Sequence, residues 1–388
     1  MGKCGEFSRR GRRGAVLGGL ICLAGAAAAE APPRIAGAPA TVYASAAEGC
    51  APWDIPDTPA RAWRGADGRV RLVSGSEASR AMVGPRLGAL VRDCAVLYRG
   101  AGDDDPAAQD DRAWVHAVHA DGERVIALAH VEYHGHLRAE RCGGDYLACW
   151  RNVVVELRSE DGGRTFRRAG TVAAPPYAYR GDEGRRSGYF NPSNILRRDG
   201  HLYAFVFAEA LEAQRRGACL LRRPVEGGPA DWRAWDGAAF AARFSDPYRE
   251  AIADPAAHVC APVEGVASTI SSVVERAGGG GYVAVTATER RGPDGRMRSG
   301  IYWTVSHDLL RWSAPRLLWE APLLWRRDCA APAAYAYPAL LDYDAGSANF
   351  ETVDDRFWLY VVRMPLGPGC RVGPERELVR LPVSWPGP

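Results

Sequence analysis

Short apolar runs rich in Val, Tyr, Phe and Trp recur along the chain, alternate partly with polar residues, and end at Gly, Asp or Asn. They include GRVRLVSG, RVIALAHVEY, NVVVELRS, HLYAFVFAEA, YVAVTATE, GIYWTVS and RFWLYVVRM. Alternation with a period of two, in segments rich in β-branched and aromatic residues, is typical of strands. Long amphipathic helical patterns are scarce, so the sequence predicts an all-β protein.

A coarse repeat organises these strands. Each unit has a strand, a turn of the Asp-Gly type, a second strand, and a third strand followed by an aromatic turn. Units begin near Asp57, Asp110, Asn191, Ser271 and Tyr337. At roughly 65 residues per unit, the repeat is long but acceptable for blades of four strands with loops. We therefore predict a β-propeller, with five blades preferred and six as the alternative.

The N-terminal segment has the pattern of a secretory signal peptide. Four arginines between positions 9 and 13 precede an apolar run, Ala15 to Ala29, that ends in small residues. This order of a basic, an apolar and a small-residue region predicts export and cleavage near Ala29. We divide the chain into a signal peptide (1–29), an Ala/Pro-rich linker (30–50) and a propeller domain (51–388), and expect a secreted or periplasmic protein.

Removal of the first 29 residues changes the charge. That segment holds Lys3 and four arginines against Glu6, so the net charge of +3 for the whole chain becomes about −1 without it. The domain therefore lacks the basic footprint of a nucleic-acid-binding protein, and we expect no membrane association after cleavage. Lys3 is the only lysine, which excludes a Schiff-base or P-loop lysine from the mature protein. The oligomeric state stays open.

Eight cysteines follow the predicted signal peptide, and an even number in an exported protein indicates disulfides. Pairing of neighbours along the chain is our expectation: Cys50–Cys94, Cys142–Cys149, Cys219–Cys260 and Cys329–Cys370. Eight cysteines permit many other connectivities, so this is the simplest hypothesis and not a derivation. No spacing typical of a zinc site is present.

Two short motifs resemble turns of known propellers. In SEDGGRTF, Ser159 to Phe166, Asp161 is placed to accept amide hydrogen bonds across a turn, and Gly163 permits a positive φ. This motif resembles the Asp box of sialidases and related propellers. SHDLLRW, Ser306 to Trp312, resembles the degenerate version that ends a blade in five-bladed glycosidases. In those families both turns are structural, and they lie away from the active centre.

The repeat plan as a whole resembles the five-bladed propeller glycosidases, a group that includes arabinanases, xylosidases and fructosidases. In that group the first strands line a central channel and carry the acids at its mouth. The resemblance implies Asp57 as base or nucleophile, Asp111 as a second acid that orients it, and Glu132 as proton donor with Glu209 in reserve. It implies hydrolysis of a glycosidic bond in a carbohydrate substrate.

The segment HVEYHGH, His130 to His136, supports this choice from the residues alone. On a strand, His130, Glu132, His134 and His136 share one face and form a titratable row. Sugar hydroxyls are the preferred partners of such a row. A bound metal is disfavoured, because two-residue spacing on one strand rarely encloses an ion without other ligands. We predict no cofactor and no metal ligands, although a structural calcium ion in the channel stays open.

Polar residues at other strand openings complete the predicted site. We expect substrate binding by the side chains of Arg61, His130, His134, Asn191, Asn194 and Glu209. Among the tryptophans, Trp63, Trp114 and Trp150 are candidates for sugar-stacking platforms.

Two other functions remain open. One is a sialidase-like enzyme, which grips a substrate carboxylate with an arginine cluster; Arg61, Arg64 and Arg80 are the candidates, but the RIP opening typical of sialidases is replaced by Arg61-Ala-Trp. The other is a propeller that binds glycan or protein on the same face without catalysis, since a fold does not fix a function.

Overall fold

The computed structural model describes residues 31–138 and 141–385, so the predicted signal peptide lies outside the described residues. The first elements are β1 (Arg34–Ile35), β2 (Ala40–Ala44) and the short helix α1 (Ser45–Glu48). They are followed by a four-stranded antiparallel sheet in chain order, which comprises β3 (Arg61–Arg64), β4 (Val70–Val73), β5 (Ser79–Gly84) and β6 (Val91–Tyr98).

A ten-stranded sheet comes next and contains two groups of strands. We call the preceding four-stranded sheet the first group. The second group comprises β7 (Arg112–Asp121), β8 (Arg124–His134), β9 (Trp150–Ser159) and β10 (Arg167–Ala173). The third comprises β11 (Ser187–Phe190), β12 (Leu196–Arg198), β13 (His201–Ala208), β14 (Gly217–Pro224), β15 (Arg233–Trp235) and β16 (Phe240–Ala242). The two groups are joined by a short parallel pairing of β11 with β9.

The fourth group comprises β17 (Ser272–Arg276), β18 (Tyr282–Arg291), β19 (Met297–Ser306) and β20 (Arg316–Glu320). The last part of the chain contributes β21 (Ala333–Leu341), β22 (Thr352–Val353), β23 (Arg356–Gly367), β24 (Arg371–Val372) and β25 (Glu377–Ser384). Of these, β22 pairs with β17, whereas β21, β23 and β25 form the last sheet. Single 3-10 turns occupy Gly135–Leu137, Pro229–Asp231, Pro255–His258 and Pro368–Cys370.

The N-terminal strands complete this last sheet. β1 and β2 both pair antiparallel with β25; Ala40 lies opposite Arg380 and Arg34 lies opposite Ser384. The predicted linker at 30–50 is therefore wrong over these strands. The Ala/Pro-rich composition of this stretch lacks the apolar alternation by which strands are predicted. A short strand at a sheet edge needs few apolar side chains when its partner strand is already packed.

Apolar cores lie between neighbouring groups and together form a ring. One core joins the first and second groups, and others join the second to the third, the third to the fourth, the fourth to the last, and the last back to the first. Side chains on both faces of each group are thus removed from water, which is the main stabilisation of such a fold. A closed ring of antiparallel sheets is a β-propeller. Its blade count stays a prediction, because two of the groups share one sheet.

Polar contacts near the axis close the same ring. Arg61 Nε donates to the carbonyl of His116 on β7 at 2.7 Å, and its Nη2 donates to the carbonyl of Ser271 at 2.5 Å. Asn194 exchanges two hydrogen bonds with the backbone of Val273 on β17, at 2.7 and 2.8 Å. Residues far apart in sequence therefore converge on one axis.

The turn at Ser159–Phe166 has the geometry that its sequence predicts. Asp161 Oδ1 accepts from the amides of Arg164 and Thr165 at 2.9 and 3.0 Å, Gly163 has a φ of 84°, and Phe166 is buried. Asp308 makes similar contacts with the amides of Leu310 and Arg311.

All four predicted disulfides are confirmed: Cys50–Cys94, Cys142–Cys149, Cys219–Cys260 and Cys329–Cys370. Within residues 31–138 and 141–385, no helix has both the length and the apolar character needed to cross a membrane.

Candidate active site

Residues from three strand groups, Asp57, Glu132 and Tyr337, lie close together, and we call the region around them the mouth. β7 begins at Arg112, and this residue lies opposite Glu132 near the end of β8. Asp57 precedes β3, and its amide donates to the carbonyl of Gly75 at 3.1 Å. The turn at Ser159–Phe166 lies beyond the other end of the second group, because β9 starts beside His134 and runs away from the mouth.

Asp57 is held by two groups from the last part of the chain. Its carboxylate forms a salt bridge with Arg376, in the loop before β25, and a hydrogen bond with the hydroxyl of Tyr337 on β21. Tyr337 has a φ of 57° at a register shift in β21. A left-handed backbone at a tyrosine is strained, and such strain persists where the surrounding structure enforces it. Here it accompanies a tyrosine hydroxyl that is bonded to an acid at the mouth.

Glu132 occupies the centre of the predicted row on β8. His134 Nε2 lies 2.7 Å from Glu132 Oε2, and His130 Nε2 lies 3.6 Å from Glu132 Oε1. His130 Nε2 also lies 2.5 Å from Asn152 Oδ1, and because the Asn152 amide nitrogen donates to the carbonyl of Ser187, His130 Nε2 carries the proton. The two histidines therefore flank the carboxyl group as the strand spacing predicts.

Both histidines are neutral partners at ordinary pH. Burial lowers the pKa of His134 to about 3, and the positive charge of Arg112 adds to this effect. Burial also lowers the pKa of His130, against the opposing charge of Glu132. Glu132 is thus contacted by uncharged rings and not by a full positive charge at hydrogen-bonding distance.

The two acids are electrostatically coupled. Burial raises the pKa of Asp57, and the negative charge of Glu132 raises it further, whereas Arg376 opposes both effects. Burial likewise raises the pKa of Glu132, with His130, Arg112 and Arg186 opposing. Their side chains retain 21% and 14% of their exposure, so both carboxyl groups are reachable from the mouth.

The two acids have different hydrogen-bonding partners. Asp57 has a guanidinium and a hydroxyl donor, and both favour its ionised form. Glu132 instead has the ring of His134 at 2.7 Å, and burial raises its pKa. A pair of carboxyl groups held in different protonation states provides one acid and one base or nucleophile.

Aromatic rings form one wall of the mouth. His134 stacks against Tyr146 and Trp150, with ring centroids 5.0 and 5.3 Å apart. Tyr146 is 45% exposed, and burial together with the charge of Glu132 raises its pKa to about 12. Trp150 is partly buried, as a platform residue should be, whereas Trp63 is fully buried in the core, so the predicted platform role of Trp63 is wrong.

Arg61 and Asn194, two of the predicted substrate-binding residues, serve the fold. Arg61 is 3% exposed and donates only to backbone carbonyl groups, and burial lowers its pKa to about 9. The side-chain amide of Asn194 donates to the carbonyl of Val273, and its oxygen accepts from the amide of the same residue. Both side chains thus satisfy backbone groups that need hydrogen-bond partners, and their roles in substrate binding stay predictions.

Asp111 and Glu209 hold neighbours of the site. Asp111 is 4% exposed and accepts from Arg138 Nη2 at 3.0 Å. Glu209 forms salt bridges with Arg186 at 2.6 Å and Arg216 at 2.8 Å. The catalytic role of Asp111 and the binding role of Glu209 stay predictions, and Glu209 has the clear structural effect of fixing Arg186 near Glu132.

Asn191 directly follows β11 in a left-handed conformation with a φ of 52°. It lies within the third group at a strand opening, where the sequence placed it, and its substrate-binding role stays a prediction.

Two of the arginines proposed for a sialidase-like cluster have other partners, although Arg80 lines the same cleft as Asp57. Arg64 lies over the ring of Phe350, and Arg80 donates to the carbonyl of Cys94. The arginines that do act on the two acids are Arg112, Arg186 and Arg376. Sequence reasoning missed them because no local motif marks them, and Arg376 follows a Gly/Pro-rich loop more than 300 residues after Asp57.

No group of three or more His, Cys, Asp or Glu side chains suited to a metal ion occurs among the described residues.

Comparisons with known proteins add a likeness of overall shape. No protein-family model matches the chain, and no curated protein does so either. An α-L-arabinanase from Cellvibrio cellulosa is 11% identical, with a TM-score of 0.43, over 82% of this chain and 90% of its own. An exo-1,5-α-L-arabinanase from a bovine ruminal metagenomic library is 10% identical, with a TM-score of 0.45, over 84% and 92%.

The α-L-arabinofuranosidase of Podospora anserina is 8% identical, with a TM-score of 0.42, over 88% of this chain and 95% of its own. These structures are glycoside hydrolases by name. At such low identity and TM-score they carry no conclusion about the activity of this chain, and the assignment as a β-propeller rests on its own strands and cores.

Proposed function

We propose that this protein is a glycoside hydrolase whose mouth cleaves a glycosidic bond with Glu132 as proton donor and Asp57 as base or nucleophile. The supporting observation is that two carboxyl groups from distant parts of the chain are electrostatically coupled at a partly exposed site, each with a raised pKa. General acid catalysis requires a carboxyl group that stays protonated near the working pH. The raised pKa of Glu132 supports this role.

The surrounding groups fit these roles. Arg376 and Tyr337 fix the orientation of the Asp57 carboxylate, which suits a group that must attack or activate water from one direction. His134 fixes Glu132 Oε2 at 2.7 Å. Four disulfides among the described residues favour a secreted or periplasmic location, where such bonds persist and polymeric carbohydrate is met.

A leaving-group series tests the two roles separately. Aryl glycosides with acidic and with weakly acidic phenols are assayed with the parent protein and with Glu132→Gln and Asp57→Asn. Loss of the proton donor should slow the weakly acidic phenols by about 100-fold or more and affect the acidic phenols much less, because a good leaving group needs no proton. Asp57→Asn should slow every substrate.

Glu226→Gln is the matched control, since it removes an exposed carboxylate beside Arg124, at the opposite end of β8 from Glu132. Activity that survives both Glu132→Gln and Asp57→Asn contradicts the residue assignment. Glycan binding without turnover by the parent protein, across the series, favours the alternative of a non-catalytic binding propeller.

A further inference from the structure

A cleft of about 480 Å³ opens beside Asp57, between the first two strand groups. Its lining combines two tryptophans, Trp53 and Trp114, with three arginines, Arg80, Arg99 and Arg112. Apart from Asp57, the only acid in the lining within the described chain is Glu77, which is exposed. The proposed reaction uses none of these five aromatic and cationic side chains directly, so their function remains to be explained.

Trp53 is exposed in a way that the fold does not require. Its side chain is 65% exposed and its backbone has a φ of 64°. A bulky residue in the left-handed region costs on the order of 1–3 kcal/mol, and an exposed indole gains no burial energy in return. A conformation with both costs is maintained only where neighbouring contacts enforce it.

Those contacts come from Asp54, the next residue. Its side chain is fully buried, accepts from the amide of Cys50 at 3.0 Å, and forms a salt bridge with Arg92. Tyr43 donates its hydroxyl to the Asp54 carbonyl at 2.6 Å, and Cys50 is joined to Cys94 on β6. The loop that presents Trp53 is therefore fixed from three sides, as a rigid platform must be.

Two of the three arginines of the cleft lack carboxylate partners, whereas Arg80 lies 3.6 Å from Asp54. Among the described residues, neither Arg112 nor Arg99 has a carboxylate within salt-bridge distance, whereas Asp57 in the same cleft is paired with Arg376. Arg112 Nε is buried without a hydrogen-bond partner. A buried donor without a partner is unfavourable, and a carboxylate is the acceptor that matches a guanidinium best.

We propose that this cleft is a subsite for a uronic acid residue, whose ring stacks on Trp53 and whose carboxylate is bound by Arg112 with help from Arg99. This specificity rests on the proposed function, since it places the charged sugar beside Asp57. A flat sugar face suits an indole, and a carboxylate attached to the ring places the negative charge close to the platform, where the two guanidinium groups lie.

Binding of matched glycan pairs to the full chain, measured by isothermal titration calorimetry, tests the proposal. Each pair has one carboxylated and one neutral member: oligogalacturonate and its methyl ester, glucuronoxylo-oligosaccharide and unsubstituted xylo-oligosaccharide, and sialyllactose and lactose. At least one uronate should bind about tenfold or more tightly than its neutral partner, as expected for one charge-assisted contact. The advantage should shrink at high salt.

Two substitutions give different signatures. Arg112→Gln should abolish the preference for the carboxylated member and leave the neutral member unchanged. Trp53→Ala should weaken both members of the pair by a similar factor, because stacking does not depend on the carboxylate. The matched controls are Trp325→Ala and Arg327→Gln, which alter a second exposed tryptophan, 55% exposed, and an arginine beside the Cys329–Cys370 disulfide.

The proposal is overturned if no uronate binds more tightly than its neutral partner, if sialyllactose is the only preferred ligand, or if the control substitutions cause the larger losses. Binding does not require turnover, so failure of the two proposals can be told apart. A uronate that binds through Arg112 but is never cleaved contradicts the hydrolase, whereas cleavage of a neutral glycan with no uronate preference contradicts the subsite.

Discussion

Replacement of Asp54 by alanine should strongly destabilise the protein. The Asp54 side chain is fully buried and faces Arg92, 6% exposed, and Arg80, 9% exposed, the latter at 3.6 Å. Removal of one member of a buried ion pair leaves an uncompensated charge and costs about 3–5 kcal/mol. Loss of the hydrogen bond to the Cys50 amide adds about 1 kcal/mol. We therefore expect the free energy of unfolding to fall by about 4 kcal/mol or more.

The effect should depend on pH with a definite sign. Burial alone raises the pKa of Asp54, but hydrogen bonds and charge from Arg92, the Cys50 amide and Arg80 outweigh it and lower the pKa below 3.8. A lowered folded-state pKa contributes stability that is present above the unfolded-state value and is lost as the pH falls through the folded-state value. The difference between parent and Asp54→Ala should therefore be largest near neutral pH and shrink in acid.

Urea unfolding followed by circular dichroism, at a series of pH values, measures both effects. Asp294→Ala is the matched control, because Asp294 pairs with Arg298 at 2.6 Å but the two side chains are 41% and 36% exposed, and pairs near the surface contribute only about 0–1 kcal/mol. If Asp54→Ala costs no more than Asp294→Ala, the inference that this network fixes the Trp53 loop is refuted. Asp54→Ala should also weaken uronate binding to the same degree as Trp53→Ala.

Three further predictions concern stability. Burial lowers the pKa of His119 from 6.5 to about 4. The folded state should therefore lose about 3 kcal/mol of stability as the pH falls from 6.5 to about 4. His119→Gln should remove this pH dependence from acid unfolding curves. Glu156→Gln should cost about 3–5 kcal/mol in urea unfolding, because it leaves the buried Arg223 without its carboxylate, 3.1 Å away. Deletion of residues 31–44 should lower the melting temperature and promote aggregation, measured by calorimetry and light scattering, because it exposes the edge of β25.

Each of these predictions can fail in a defined way. Acid unfolding curves of parent and His119→Gln that run parallel would contradict the first. The second fails if Glu156→Gln destabilises no more than Glu226→Gln, an exposed carboxylate on the same side of the third group. A truncated chain that melts at the same temperature as the parent would mean that β1 and β2 do not complete the last sheet.

The local features of the fold were predictable from sequence. The alternating run that became β8 reaches from Arg124 to His134 and presents His130, Glu132 and His134 on one face, because the side-chain period of a strand is fixed by backbone geometry. The turn at Ser159–Phe166 follows from the side chain of Asp161 and the freedom of glycine. Neighbour pairing of the cysteines also held, since each disulfide joins parts of one blade-like unit or its loops.

Features that depend on distant partners were not predictable. Arg376 reaches Asp57 only because the ring closes, and its surrounding sequence resembles an ordinary loop. The contacts of Arg61 with the carbonyl groups of His116 and Ser271 likewise join residues far apart in the chain, and no local motif indicates them. The sequence around Trp53 does not indicate that its side chain is exposed. The exposure arises from a network around Asp54 that includes residues of β2 and β6.

The pairing of β2 with β25 closes the ring by joining the two ends of the described chain. Ala40 lies opposite Arg380, so nearly the whole described chain separates the two strands. A contact of such long range forms late and slowly, because its loop-closure entropy is met only after the intervening sheets exist. The salt bridge between Asp57 and Arg376 spans the same seam. Asp57 therefore acquires its arginine partner only when the two ends of the described chain have paired.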